Sequence, residues 1–209
     1  MKILKNRFDK EAINALPVVS FEGPIHTIIS EEEADKAVDF LLSHPILGFD
    51  TETKPSFTKG RGMNKVALLQ VSTEEQTFLF RLNQIGLPKS VVRLLSDREV
   101  LKVALSWQDD MRQLQRRKRF RPGRFLELQR YVKYFGIEDL SLQKLYANVF
   151  GKKISKSQRL TNWEADCLTE AQKRYAATDS WACVRIFNEL HALKHNGNYV
   201  VDRVEAEED

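Results

Sequence analysis

The sequence has only two cysteines, and this excludes a cysteine-rich zinc site and a disulfide framework. Cys167 and Cys183 do not form the closely spaced pair that is typical of zinc sites. Two thiols are also too few for a disulfide framework. We therefore expect both cysteines to be reduced and partly buried.

Long apolar runs are absent as well. No stretch approaches the ~20 apolar residues that a membrane-spanning helix needs. The first residues are soon followed by Asp9 and Glu11, where a signal peptide would have its apolar core. We expect a protein without membrane segments whose default location is the cytoplasm.

Composition and charge indicate one folded domain with a slight excess of positive charge. The 209 residues are 42% hydrophobic and 30% charged, which is typical of a globular protein and not of a disordered one. The formal net charge of +4 favours polyanionic partners such as nucleic acid, although only weakly. Without repeats or long linkers, the sequence divides into a lead-in (1–24), a single domain (25–197) and an acidic C-terminal tail (198–209).

The hydrophobic periodicity alternates between strands and helices. Short apolar runs bounded by polar residues predict strands, and apolar residues three and four apart predict helices. The predicted strands are 46–49, the hairpin formed by 65–72 and 76–82, 100–107, and 125–129. A helix is predicted to begin after Ser30, and a longer one runs from Thr169 to Gly197.

The first candidate site residues are Asp50 and Glu52, which follow the apolar run 46–49. Residues two apart on a strand share a face, so the two carboxylates emerge side by side. Carboxylates this close repel each other unless a cation lies between them, and oxygen ligands suit Mg²⁺ or Mn²⁺. The alternative is a solvated strand end with two acids in a loop.

Further acidic residues follow a later strand and lie on the long helix. Asp109 and Asp110 come directly after the strand 100–107, and either could be a ligand. Tyr175 and Asp179 are four residues apart, so they share one face of the long helix. Asp179 lies among small and apolar residues without a basic neighbour at helical spacing, and a buried acid needs a partner.

Two segments are densely basic. Residues 112–124 carry many arginines, and residues 152–159 precede Trp163. Such a run is usually a solvated surface. The alternative for 112–124 is a rim that contacts phosphates beside a nuclease site.

Taken in order, these motifs resemble the DEDD exonuclease superfamily in its tyrosine-bearing branch, to which ribonuclease D and the Werner exonuclease domain belong. The resemblance covers roughly residues 25–195. The matching stretches are 47–52, 65–72, 102–110, and 162–179, which ends in Tyr175-Ala176-Ala177-Thr178-Asp179. One departure is at Ser106 and Trp107, where relatives often carry Gly, Asn or His.

The resemblance implies a ribonuclease H-like α/β fold: a mixed five- to six-stranded sheet with helices on both faces. It also implies a metal-dependent 3′–5′ exonuclease that releases 5′-mononucleotides by a two-metal mechanism. Asp50, Glu52, Asp110 and Asp179 would hold two Mg²⁺ or Mn²⁺ ions. Alignment of the preceding strand favours Asp110 over Asp109. Tyr175 would orient the attacking water.

The implied partner is the 3′ end of a nucleic acid, DNA or RNA, single-stranded or frayed. The resemblance places Thr51 and Phe57 near the terminal nucleotide, with Phe57 stacking on a base or anchoring its loop in the core. Lys156 and Arg159 are candidates for phosphate contacts, or they belong to a solvated loop. Two other hypotheses are a catalytically weak nucleic-acid-binding module on the same fold, and an α/β interaction domain with coincidental acids.

Overall fold

The computed structural model describes residues 1–56 and 64–203. Its strands are β1 (Lys2–Lys5), β2 (Val18–Val19), β3 (Ile25–Ile28), β4 (Ile46–Thr53), β5 (Val66–Ser72), β6 (Thr77–Phe80), β7 (Leu101–Ala104), β8 (Phe125–Glu127), β9 (Lys153–Ile154) and β10 (Tyr199–Asp202). Its α-helices are α1 (Lys10–Ala15), α2 (Glu31–Leu42), α3 (Leu82–Ile85), α4 (Lys89–Ser96), α5 (Gln108–Arg117), α6 (Leu128–Tyr131), α7 (Leu142–Phe150) and α8 (Glu170–Asn196). One 3₁₀ helix spans Val132–Phe135.

Six strands form a mixed sheet in the order β3-β6-β5-β4-β7-β8. β4, β5 and β6 are antiparallel neighbours, while β7 and β8 continue the sheet parallel to β4. The predicted hairpin is therefore confirmed, and so is the predicted fold class. β4 lies in the interior of the sheet with a strand on each side.

Helices cover both faces of this sheet and enclose two large apolar cores. One core joins Leu47 and Phe49 of β4 to apolar residues of α2, α4 and α5. The other lies beneath α6, α7 and α8 on the opposite face. Because side chains alternate along a strand, the even-numbered residues of β4 point towards α8.

The ends of the long helix α8 follow directly from the sequence. Thr169 caps its N-terminus in a capping box with Gln172, and Gly197 ends it in the left-handed conformation at φ 65°. Ser30 and Glu33 form the same kind of capping box at the start of α2. Both helix starts confirm the sequence predictions.

Three features differ in detail from the sequence analysis. β4 continues through Thr53, so Asp50 and Glu52 lie within the strand and not beyond its end, because pairing with β5 extends to the bulge at Glu52–Thr53. β7 and β8 are shorter than the predicted strands 100–107 and 125–129 and end at Ala104 and Glu127. β1 and β10 form a parallel pair that the sequence did not indicate, and Leu4 of β1 is fully buried.

Candidate active site

Asp50 and Glu52 are placed by the alternation of β4. Leu47 and Phe49 are buried in the core on the α2 side, and this fixes which face of the strand carries the acids. Gly48, Asp50 and Glu52 therefore face α8. The apolar run that precedes the acids sets their orientation.

Asp179 reaches the same place because α8 lies unusually close to β4. A Cβ added to Gly48 would lie 1.9 Å from the backbone oxygen of Ser180, so only glycine permits this approach. The Ser180 hydroxyl also forms a 2.6 Å hydrogen bond with the hydroxyl of Ser72, the cross-strand partner of Gly48. Asp179, which directly precedes Ser180, is thereby held over Asp50 and Glu52 of β4.

The three carboxylates form one cluster. One oxygen from each of Asp50, Glu52 and Asp179 can be chosen so that all three lie within 4.8 Å of one another. Asp179 is buried, while Asp50 and Glu52 keep partial solvent exposure. Acids from two distant parts of the chain thus share one site, as the sequence analysis expects.

The electrostatics of the cluster disfavour three negative charges. Burial, and then the neighbouring carboxylates, raise the pKa of Glu52 to about 10. Burial raises the pKa of Asp179 to about 7, and burial together with the charge of Asp179 raises the pKa of Asp50 well above its usual value. Within the protein alone, this cluster is a strained arrangement that a cation would relieve.

The donor set fits a hard divalent cation. All three groups offer carboxylate oxygens, which are the ligands that Mg²⁺ and Mn²⁺ prefer. Neither cysteine belongs to this cluster. Oxygen donors with raised pKa values, facing one opening, are therefore suited to bind such an ion.

Asp110, and not Asp109, lies next to this cluster. Asp110 is in the first turn of α5 and lines a small internal cavity together with Asp50 and Thr51. Its pKa is raised by burial, and its charge in turn contributes to the raised pKa of Asp50. Asp109 is exposed and forms an ion pair with Arg112 at 2.9 Å.

Tyr175 also contacts the cluster. Its hydroxyl lies at the carboxylate of Asp179, and this interaction lowers the pKa of that acid. Burial, and then the charges of Asp179 and Glu52, raise the pKa of Tyr175, so the phenol keeps its proton. Its ring lies 6.0 Å from that of Trp163, which is fully buried.

The structure brings two predicted basic residues close to the acids. Lys156 and Arg159 are exposed residues after β9. The charge of Lys156 lowers the pKa of Asp179, and the charge of Arg159 lowers the pKa of Glu52. Both cations therefore lie within electrostatic range of the carboxylates.

Thr51 and Phe57 are the remaining residues that were predicted to contact the terminal nucleotide. Thr51 lies beside Asp110, where its side chain partly offsets the raised pKa of that acid. Phe57 lies outside the described residues.

In the basic run 112–124, Arg117 is not simply solvated, because its guanidinium donates to the backbone oxygens of Leu82 and Val66.

Sequence reasoning did not single out Gln70. This residue of β5 is the cross-strand partner of Asp50 and is fully buried. Neither atom of its side-chain amide has a hydrogen-bond partner within the described part of the chain. An amide in an otherwise apolar strand is the signal that could have indicated it.

Ser106 has a strained backbone beside the site. Its φ of 57° lies in the left-handed region, and no other non-glycine residue in the described ranges has a positive φ. Its backbone N–H donates to the Glu127 carboxylate at 2.9 Å. Gly and Asn adopt this conformation more readily than serine does.

Comparison with known proteins decides the family. Residues 25–193 match the sequence model of the family described as 3′-5′ exonuclease. The chain belongs to this 3′-5′ exonuclease family. The mouse bifunctional 3′-5′ exonuclease/ATP-dependent helicase WRN is 31% identical to this exonuclease domain over 190 residues, which are 85% of the chain and 13% of the mouse protein. DNA polymerase I of Aquifex aeolicus is 28% identical over 166 residues, which are 79% of the chain and 27% of that protein.

Solved structures show the same fold. The Nibbler EXO domain of Aedes aegypti superposes with a TM-score of 0.75 at 22% identity, covering 86% of this chain and 94% of that one. RNase D of Escherichia coli gives a TM-score of 0.72 at 20% identity, covering 82% of this chain and 45% of that one. The domain spans less than half the length of the curated relatives named above. Among the residues that the structure describes, no helix is both long and apolar enough to cross a membrane.

Proposed function

We propose that this exonuclease domain hydrolyses the terminal phosphodiester bond at the 3′ end of a nucleic acid and releases a nucleoside 5′-monophosphate. The observation that carries this proposal is the cluster of Asp50, Glu52 and Asp179, with Asp110 beside it. The catalytic unit is the segment 25–197. The rest of the chain contributes β1 and β10, which pair with each other.

Four carboxylates would hold two divalent ions, Mg²⁺ or Mn²⁺. Asp50, Glu52 and Asp179 form one cluster and Asp110 lies beside Asp50, so these four residues would hold the ions. When bound, the ions would lower the pKa of the attacking water and offset the charge on the departing 3′-oxygen. The water oxygen forms the new bond to phosphorus, the bond from phosphorus to the 3′-oxygen breaks, and that oxygen takes up a proton.

Tyr175 would position the attacking water. Its hydroxyl stays protonated and lies at the Asp179 carboxylate. It can donate one hydrogen bond there and accept another from a water held between the two groups. Its ring packs against the hydrophobic cluster around Trp163, which limits its rotation.

Lys156 and Arg159 would hold the phosphate of the terminal nucleotide. The charges of both residues influence the pKa values of the carboxylates. Thr51 and Phe57 are the further candidates for contact with that nucleotide. Since the acids are at least partly buried, a single-stranded or frayed 3′ end fits this opening better than an intact duplex end.

A test compares two neighbouring acids on α5. Asp110→Asn and Asp109→Asn remove the same charge from adjacent positions, but only Asp110 lies beside Asp50. With Mg²⁺ or Mn²⁺ and a single-stranded oligonucleotide labelled at its 5′ end, wild type and Asp109→Asn should shorten the strand stepwise from its 3′ end. Asp110→Asn should slow this by at least about 10²-fold.

The alternative is a catalytically weak nucleic-acid-binding module on the same fold. It would be supported if the wild-type protein bound the oligonucleotide but left it intact with both metals. Matched single-stranded DNA, duplex DNA and RNA substrates in the same assay would identify the preferred nucleic acid. Equal rates for Asp109→Asn and Asp110→Asn would contradict the assigned ligand.

A further inference from the structure

A large open groove lies beside the carboxylate cluster and has no role in the chemistry described above. Its volume is about 1400 Å³. Compact small-molecule sites occupy ~300–1,000 Å³, so a groove of this size suits an extended ligand. Its walls come from the residues before β5, from α3 and the residues after it, from the second half of α5, and from the segment before α8.

The groove opens at the same edge of the sheet as the carboxylates. Val66, the first residue of β5, pairs with Thr53, which directly follows Glu52. Arg117 on the groove wall donates to the backbone oxygen of Val66 at 2.7 Å, so the end of α5 is fixed against this edge. On the other wall, Glu164 forms an ion pair with Lys54 at 3.5 Å. The groove therefore begins at the end of β4 that carries Glu52.

The charge of the groove is positive. Lys65, Arg116 and Lys118 line it, are exposed, and form no ion pair with any residue in the described ranges. Arg117 adds a fourth cation but is occupied by backbone oxygens. The groove also contains two carboxylates, of which Glu164 is paired and Asp166 is exposed.

Polar amides complete the lining. Asn64 and Asn83 each donate one amide N–H to a backbone oxygen, and their remaining amide atoms and those of Gln113 line the groove. Cations interspersed with amides match a phosphodiester backbone, which offers charge and acceptors at regular intervals. Leu87, which is partly exposed, can contact sugars or bases.

We propose that this groove binds the single-stranded part of the substrate, a few nucleotides on the 5′ side of the bond that is cut. The inference rests on the proposed function, and it assigns the basic segment around Arg116 and Lys118 to substrate binding. The groove contacts phosphates and so acts on affinity and on the number of nucleotides removed per binding event. It takes no part in bond cleavage.

The experiment uses the reversed-charge variant Arg116→Glu/Lys118→Glu of the full chain. Its control, Lys10→Glu/Lys194→Glu, changes the net charge equally at exposed positions on α1 and at the end of α8. Each protein is assayed with Mn²⁺ on a single-stranded oligonucleotide and on the p-nitrophenyl ester of thymidine 5′-monophosphate. The ester has no upstream nucleotides and reports on the carboxylate site alone.

The groove variant should raise KM for the oligonucleotide at least about tenfold while hydrolysing the ester within about twofold of wild type. Loss of two phosphate contacts should also reduce the slope of log affinity against log salt concentration by about 1.4. The control variant should match wild type on both substrates. A neutral variant, Arg116→Ser/Lys118→Ser, should give an intermediate KM.

Two results would overturn the proposal. One is an unchanged KM for the oligonucleotide in the groove variant, and the other is an equal loss on both substrates in the reversed and neutral variants. If wild type hydrolyses neither substrate, the proposed function fails, but the groove is still tested by fluorescence anisotropy with a labelled oligonucleotide and no metal. Equal affinities of wild type and groove variant in that assay would also reject the proposal that the groove binds single strands.

Discussion

The hydroxyl of Tyr175 lies at the carboxylate of Asp179, one turn further along α8. This interaction lowers the pKa of Asp179 and opposes the effect of burial, which raises it. The same surroundings raise the pKa of the phenol, so the proton stays on Tyr175. One helix face therefore presents a phenol hydroxyl and a carboxylate side by side.

Replacing Tyr175 with Phe removes only the hydroxyl. We expect kcat on a single-stranded oligonucleotide to fall roughly 10²-fold, because the attacking water loses one of its positioning contacts. KM and the thermal midpoint should change little. Tyr134→Phe is the control, since Tyr134 is 75% exposed on the surface. An unchanged kcat for Tyr175→Phe would reject the positioning role.

Replacing Asp50 with Asn should stabilise the metal-free protein while it abolishes nuclease activity. The substitution removes one of the repelling carboxylates but keeps the shape of the side chain. We expect the free energy of unfolding at neutral pH with EDTA to rise by roughly 1–3 kcal/mol. Urea denaturation measures this, with the exposed Asp109→Asn as a control that should stay within about 0.5 kcal/mol. A lower stability for Asp50→Asn would contradict the repulsion that the structure indicates.

The stability of the metal-free protein should fall as the pH rises. The pKa is about 10 for Glu52 and about 7 for Asp179 in the folded protein, whereas unfolded carboxyl groups titrate near pH 4. Between these limits the folded state holds more protons than the unfolded state, so raising the pH favours unfolding. The contribution is fully present below about pH 4 and is lost as the pH passes through the two folded-state pKa values.

Divalent metal should reverse this trend, since it binds the ionised carboxylates. The increase in thermal midpoint on adding Mg²⁺ should be larger at about pH 9 than at about pH 6. Thermal denaturation with EDTA and with Mg²⁺ at both pH values measures the difference. The same increase at both pH values, or the same pH trend in an Asp50→Asn/Asp179→Asn variant without metal, would count against this prediction.

Gly48→Ala should separate α8 from β4. The added methyl group would lie 1.9 Å from the Ser180 backbone oxygen, and backbone on both sides leaves little room for adjustment. We expect a loss of about 3 kcal/mol in the free energy of unfolding, and weaker Mn²⁺ binding in calorimetry, since Asp179 moves with the helix. Gly197→Ala is the comparison: nothing lies within 4 Å of that Cβ, so only its φ of 65° is unfavourable. It should cost about 1 kcal/mol and leave Mn²⁺ affinity unchanged, and equal effects on metal affinity would contradict the close-packing argument.

Much of the fold was predictable because its signals are local. Capping residues such as Ser30 and Thr169, the apolar run before Asp50, and the hairpin around 73–75 each act within a few residues. The pairing of β1 with β10 was not predictable, because it joins opposite ends of the chain and buries only a few residues such as Leu4. Strand ends were also uncertain, since the length of β4 depends on its partner β5.

The sequence by itself determined the types and the order of the acidic residues and the family resemblance. It also determined that Asp50 and Glu52 share a face of β4, and that Tyr175 and Asp179 share a face of α8. Only the tertiary structure decided that Asp110 and not Asp109 lies beside Asp50, because the two differ by one step around a helix and the packing of α5 selects the inward one. It alone brought Lys156 and Arg159 to the carboxylates and aligned the basic end of α5 with the edge of the sheet. These relationships depend on distances between segments far apart in the chain, which no local pattern encodes.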